Sequence, residues 1–221
     1  YAVTAMLARV YCWAGEYGNA YKEAKEVVDA TYSTGSTSTA SCFNFSNSLT
    51  TNRKDYNSII MTFFKSTCYE DYLPYMTKGN DVVLVVNTTN LFGDEAGADD
   101  RNLDLFGDWD GGDIKYSFKY DIKEGTSGTD MIPAIRLSEM YYIMREYFAY
   151  KDEFSKAGEM LDKVRYARGI STTNLASSIG SLEVFHTHLI KEMRREFVGE
   201  GKMFFQYKRL DQKPKDNVVF V

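Results

Sequence analysis

One spacing occurs twice in this chain, and it constrains the fold more than any other feature. The first copy runs Leu7, Ala8, Tyr11, then Gly15-Glu16-Tyr17, then Ala20, Ala24 and Val27. A constant offset carries it onto Met144, Arg145, Phe148, then Asp152-Glu153-Phe154, then Ala157, Leu161 and Val164. Small and apolar residues recur at helical spacing on both sides of a short polar turn. Each copy therefore predicts two antiparallel helices packed through alanines.

That pattern is the grammar of a tetratricopeptide-like helical hairpin, and two copies predict a repeat architecture. Such hairpins usually bind or scaffold rather than catalyse. The chain's 221 residues can bury roughly 70% of the unfolded surface, so it needs no metal or disulfide staple. The formal charge of −5 disfavours a nucleic-acid partner, which calls for a dense basic face. The 17 Tyr and 14 Phe exceed what two hairpins need, and flat rings also suit a surface that grips sugars or peptides. No run is long and apolar enough to span a membrane. The helical pattern is already under way at Ala2, and residues 218–221 are an apolar run without a polar tail. Both ends predict a piece of a longer protein, with any targeting sequence upstream.

Between the copies the pattern changes. Residues 31–41 read as a flexible polar loop. Residues 55–66, with Ile59, Ile60, Phe63 and Phe64, predict a short amphipathic helix. Residues 82–87 and 114–122 predict strands, separated by a loop over 88–114 rich in Gly and Asp, and residues 123–130 form a turn. Helix returns over 135–150, and Arg168-Gly169 closes the second hairpin with a left-handed glycine. A Ser/Thr/Asn loop over 171–181 leads to a helix that carries Leu182, Phe185, Leu189, Met193 and Phe197 on one face. Gly199 and Gly201 end or bend that helix, and Phe204, Phe205 and Tyr207 are expected to pack as an aromatic knot.

Few constellations carry chemistry. The charged run 191–201 reads as structure, with Glu192 pairing Arg195 one turn on and the other charges reaching Arg136, Glu139 or Arg165. His186 and His188, two apart on a helix, point away from each other and do not share a metal. No nucleophile elbow or phosphate loop is present. Among the cysteines, Cys12 reads as a small core residue, and a Cys42–Cys68 bridge stays open. The loop Asp108-Trp109-Asp110-Gly111-Gly112-Asp113 resembles a calcium loop, but Lys119 stands where the twelfth-position carboxylate belongs. An irregular calcium site helped by Asp99 or Asp104, or a plain solvated turn, remains. Trp109 is the more useful residue there. Beside carboxylates, its ring suits stacking on a pyranose, with Phe106, Tyr116, Asp108 and Asp110 as companions; alternatively it plugs the loop onto the domain. Tyr69, Tyr72 and Tyr75 form a second aromatic cluster.

Four blocks then resemble the SusD/RagB-like nutrient-binding outer-membrane lipoproteins of Bacteroidota. They are the opening hairpin over 5–28, with Ala-Arg-Val-Tyr and Ala-Gly-Glu-Tyr; Ile135-Arg136-Leu137-Ser138-Glu139-Met140-Tyr141; residues 157–169, ending in Arg168-Gly169; and residues 192–209, with Arg-Arg-Glu, Gly-Glu-Gly and Phe-Phe-Gln-Tyr-Lys-Arg. Order and spacing fit the later part of that family. The chain departs from the usual pattern at Met193, Met203, Gln206 and Arg145-Glu146-Tyr147, which bears on salt bridges rather than on fold. The resemblance implies a mainly α fold, with tetratricopeptide-like hairpins and a loop-rich portion containing a few short strands. It implies one domain fragment over 1–221, divided as 1–30, 31–134 and 135–221. It also implies no catalysis and no cofactor, capture of nutrient oligosaccharides at the cell surface, and a SusC-like TonB-dependent transporter as partner. The lipid anchor would lie upstream of Tyr1. A protein- or peptide-docking repeat module is the alternative, and paired carboxylates making a glycosidase a distant third.

Overall fold

The computed structural model describes residues 1–33, 39–76, 83, 85–109, 111–121, 130–171 and 174–211. Helices α1 (Ala2–Trp13) and α2 (Tyr17–Val28) make the first hairpin. Strands β1 (Thr31–Ser33) and β2 (Thr39–Ser41) pair antiparallel, so the ends of the expected polar loop are a small ribbon. Strand β3 (Ile59–Phe64), helix α3 (Cys68–Met76), strand β4 (Val85–Asn87) and helices α4 (Thr88–Phe92) and α5 (Asp100–Leu105) follow. Then come β5 (Phe106–Asp108), β6 (Ile114–Ser117) and β7 (Met131–Arg136). The second hairpin is α6 (Leu137–Ala149) and α7 (Phe154–Tyr166), and α8 (Leu182–Glu196) and α9 (Met203–Arg209) complete the order. The fold is mainly α.

The repeat extends to single hydrogen bonds. Glu16 N–H donates to Tyr11 O and Gly15 N–H to Cys12 O; at the constant offset, Glu153 donates to Phe148 O and Asp152 to Ala149 O. Both turns need a left-handed residue, Gly15 at φ 76° and Asp152 at φ 58°. Ala5, Ala8, Cys12, Ala20, Ala24 and Val27 pack against Met140, Ile143 and Met144 of α6. The other side of α6 supplies Tyr142 and Ala149 to a second core with Ala157, Leu161, Val164, Phe185, Leu189 and Met193. Helix α6 is thus the shared wall between two cores. Tyr17 stacks on Tyr150 and Tyr21 on Tyr147, with ring centroids 4.1 and 4.5 Å apart, pinning the first hairpin to α6.

Several expectations are corrected. Residues 59–64, expected as helix, are strand β3, paired antiparallel with β7. Ile59, Ile60, Phe63 and Phe64 satisfy a helical stripe, but β-branched and aromatic side chains also suit a pleated surface, and a partner strand decides. That partner runs to Arg136, so helix begins at Leu137, two residues later than expected. The 88–114 loop holds α4, α5 and β5; Asn87 and Asp99 cap the two helices by accepting from Asn90 N–H (2.9 Å) and Arg101 N–H (3.0 Å). The 171–181 loop contains a short turn at Leu175–Ser177. The Phe204 and Phe205 rings meet edge-on at 5.4 Å as part of the expected knot, but both are exposed, because α9 turns Met203 and Gln206 inward. Of the turn expected over 123–130, residues 123–129 lie outside the described residues. All three cysteines are free thiols, and Cys12 is buried in the first core.

Candidate functional site

Two regions concentrate polar chemistry, one closed and one open. The closed one is a lattice of buried ions centred on α8. Arg101 Nη2 lies 2.7 Å from Asp99 and 3.0 Å from Glu192, and its Nη1 lies 3.3 Å from Glu196. Arg168 Nη2 meets both Asp55 and Glu196 at 2.6 Å. Arg195 Nη1 lies 2.8 Å from Glu192 and 2.7 Å from Glu95, while its other nitrogens donate to the carbonyls of Leu91 and Phe92. The expected Glu192–Arg195 pair is therefore present. Arg136 reaches Glu200 at 2.8 Å, from β7 rather than from a helix, and Lys119 reaches it at 2.6 Å.

The electrostatics of the lattice are those of a scaffold. Burial pushes the Glu196 carboxyl up, but Arg168, Arg101 and Arg136 outweigh it and hold the group well below the ordinary carboxylate range. Burial likewise pushes the Glu200 carboxyl up, but Arg136, Lys119 and Lys202 overcome it and take the group down to about 2. Neither carboxyl can act as a proton donor near neutrality, because each is locked as an anion among cations. Arg145 is different. Among the described residues its guanidinium has no hydrogen-bond partner, and it sits 5.0 Å from the ring centres of both Tyr142 and Phe185. Burial lowers its pKa to about 10.

The open region is the edge of the three-stranded sheet β4-β6-β5. The β5–β6 hairpin closes with Trp109 N–H donating to Ile114 O at 3.3 Å, and Gly111 takes φ 83° in the loop. Trp109 is half-buried and Asp108 exposed at this edge. Asp108 pairs with Lys115 across the hairpin. Asp113 accepts from Thr89 Oγ1 at 2.7 Å, and its carbonyl accepts from Thr88 N–H, which fastens the loop to α4. Tyr116 lies over Gly107, where an added Cβ would come within 2.6 Å of its ring.

The expected residues divide. Trp109, Asp108 and Tyr116 come together on one hairpin, and Asp110 lies outside the described residues. Phe106 is buried, its ring edge-on to Phe92 at 5.8 Å in a core with Leu49, Leu91 and Leu105, so it supports the loop from beneath. Tyr72 stacks on Tyr120 at 4.7 Å, which makes that part of the second aromatic cluster structural. Asp99, the suggested helper of a calcium site, is held by Arg101. Among the described residues, no group of three or more His, Cys, Asp or Glu is placed to hold a metal ion. Thr89 and Lys115 were not anticipated. The Asn87-Thr88-Thr89 cap after a strand was the available signal, since it fixes where the facing loop must anchor.

Comparison with known proteins fits this architecture. The model of the SusD family matches residues 8–218. A SusD superfamily protein from Bacteroides thetaiotaomicron superposes with a TM-score of 0.67 at 24% identity, over 95% of this chain and 49% of that one. A SusD-like carbohydrate binding protein from Bacteroides vulgatus gives 0.60 at 20%, over 95% and 45%. Surface glycan-binding protein A from Bacteroides uniformis gives 0.63 at 16%, over 95% and 49%. The chain thus spans about half the length of these structures. No curated protein matches it significantly. With the family pattern running through nearly its whole length, the chain belongs to the SusD family.

Proposed function

We propose that this protein binds nutrient oligosaccharides at the cell surface and passes them, chemically unchanged, to a TonB-dependent outer-membrane transporter of the SusC type. On this reading it is held at the outer membrane by a lipid on a segment outside this chain. The observation that carries the proposal is Trp109, half-exposed beside Asp108 on a hairpin that is itself braced by Phe106, Lys115 and Asp113. A flat ring can hold the apolar face of a sugar, with acidic side chains of the same hairpin as acceptors for its hydroxyls. Membership of the SusD family, and the carbohydrate- and glycan-binding proteins among the solved relatives, support the ligand class. The locked carboxylates around α8 support binding without turnover.

A glycan-array screen followed by calorimetry on the full-length protein tests this, with Trp109→Ala alongside. Saturable binding that weakens ~10-fold or more in the variant, about 1.4 kcal/mol, is the expected result. Binding that survives unchanged moves the ligand away from this hairpin. A complete absence of glycan binding, with peptides bound instead, overturns the function and favours a docking module.

A further inference from the structure

A cavity of about 270 Å³ lies where α8 meets the end of α4, the turn Gly93–Glu95 and the turn Leu175–Ser177. It shares no residue with the β5–β6 hairpin that carries Trp109. Phe92 and Leu175, both buried, give it an apolar lining, and Asp162 fixes that wall by accepting from Leu175 N–H at 2.8 Å. His188 and Lys191 stand one turn apart on α8, both half-buried. Asp94 and Ser178 line it as exposed residues, and the Ser178 hydroxyl spends its proton on Asn174 O at 3.2 Å.

The inner carboxylates of this cavity are already committed. Glu95 accepts from Arg165 and, at 2.7 Å, from Arg195. Glu192 lies 3.0 Å from Arg101 and 2.8 Å from Arg195. His188 and Lys191 are not committed: among the described residues neither has a hydrogen-bond or ion-pair partner. A Cβ at Gly93 would stand 3.9 Å from Lys191 Nζ, so the ammonium reaches across to the Gly93–Glu95 turn. Burial lowers the pKa of His188, and Arg165, Lys191 and Arg145 lower it further against Glu192. Burial and Arg195 likewise lower that of Lys191, with Arg165 adding to them and Glu95 and Glu192 opposing. Half-buried nitrogens with donors to spare, crowded by other cations, are best satisfied by an anion.

We infer that this cavity binds one carboxylate-bearing sugar ring, a hexuronic acid, with its carboxylate on Lys191 and His188, its hydroxyls on Asp94 and Ser178, and its apolar face toward Phe92 and Leu175. The volume suits a single pyranose, since a water takes ~30 Å³ and drug-sized ligands need pockets at or above this size. A neutral sugar would leave the ammonium unpaired, and a bare phosphate would leave the apolar lining and Asp94 unused. The sugar half of the assignment rests on the carbohydrate-binding reading; the anion half rests on the cavity alone.

Calorimetric titration of the full-length protein with glucuronate, galacturonate, glucose, galactose and inorganic phosphate tests it, with Lys191→Gln and Lys191→Arg alongside. The expected result is that at least one uronate binds ~10-fold or more tightly than both its neutral counterpart and phosphate. Lys191→Gln should abolish that preference and Lys191→Arg should retain it. No uronate binding, equal binding of uronate and neutral sugar, or a preference that survives Lys191→Gln overturns the proposal. Phosphate bound as tightly as the uronates also overturns it, leaving a plain anion pocket. A thermal melt of Lys191→Gln matching the unsubstituted protein excludes misfolding as the cause of a lost preference, and the comparison among ligands needs no variant. The glycan array with Trp109→Ala reads the oligosaccharide function separately, so each reading can fail while the other stands.

Discussion

At the seam of the first hairpin stand Ala5, Ala8, Cys12, Ala20 and Ala24; at the same register in the second stand Tyr142, Arg145, Ala149, Ala157 and Leu161. All ten are buried. The turns are closed by equivalent hydrogen bonds, yet the first seam is nearly all alanine and the second holds a tyrosine and an arginine. Small side chains let α1 and α2 close on each other, with α6 packed over the seam through Met140, Ile143 and Met144. The larger ones require a third helix, and α8 supplies it through Phe185, Leu189 and Met193. One backbone blueprint thus serves a hairpin held by close approach and another held by a covering layer and its ion lattice. Neighbours, more than the repeat itself, decide what a position can hold.

The strongest way to break this comparison is to damage the lattice. Glu196→Gln strands Arg168 and Arg101 without a shared carboxylate, and urea unfolding should show a loss of about 3–5 kcal/mol. The matched change on the first hairpin, Glu26→Gln on an exposed surface, should stay within about 0.5 kcal/mol. The same contrast has a pH signature. Glu196 and Glu200 ionise more readily folded than unfolded, so their contribution is complete above the unfolded value of 4.5. It is lost as pH falls from there toward about 2, the folded value of Glu200. An acid titration of stability that stayed flat across that window would contradict the lattice's role.

A smaller effect is expected at Gly158. An added Cβ there would meet the Ala176 backbone at 2.5 Å, whereas the register-equivalent Tyr21 stacks on Tyr147. Gly158→Ala should cost about 1–3 kcal/mol by forcing α7 off the Leu175–Ser177 turn. A neutral result in thermal melts would mean that the turn gives way freely.

The smallest effect compares the turns directly. Both need a left-handed residue, but only the first uses glycine. Gly15→Ala should destabilise by about 1 kcal/mol, and Asp152→Gly should stabilise by somewhat less. Space at Gly15 is open, so the cost there is conformational alone. Equal responses of the same sign would show that the two turns are not equivalent.

How much was legible in the sequence follows from the same physics. The hairpins were readable because their spacing is local, and Gly169 was readable because a left-handed cap favours glycine. Strand β3 was not, since its identity depends on β7 some 70 residues on. At the candidate site, Trp109, Asp108 and Tyr116 share one hairpin and were read together from proximity. Phe106 was misplaced because, three positions before Trp109 in the same hairpin, it points into the core beneath α4, which no local pattern reveals. The lattice was legible as structure, but its partners in Asp55, Asp99 and Glu95 were out of sequence range.

The distances along the chain within that lattice bear on synthesis and folding order. Arg101, Arg165 and Arg168 precede the carboxylates of Glu192 and Glu196 that neutralise them, and Asp55 waits for Arg168 across 113 residues. As the polypeptide leaves the ribosome, the first hairpin can form at once from neighbouring contacts. The interior behind α6 cannot close until α8 has emerged, because that helix carries Phe185, Leu189 and Met193 of the core together with Glu192 and Glu196, which complete the pairing of its arginines. Closure at that point joins distant segments together, a high-contact-order step that favours slow, all-or-none completion over gradual consolidation.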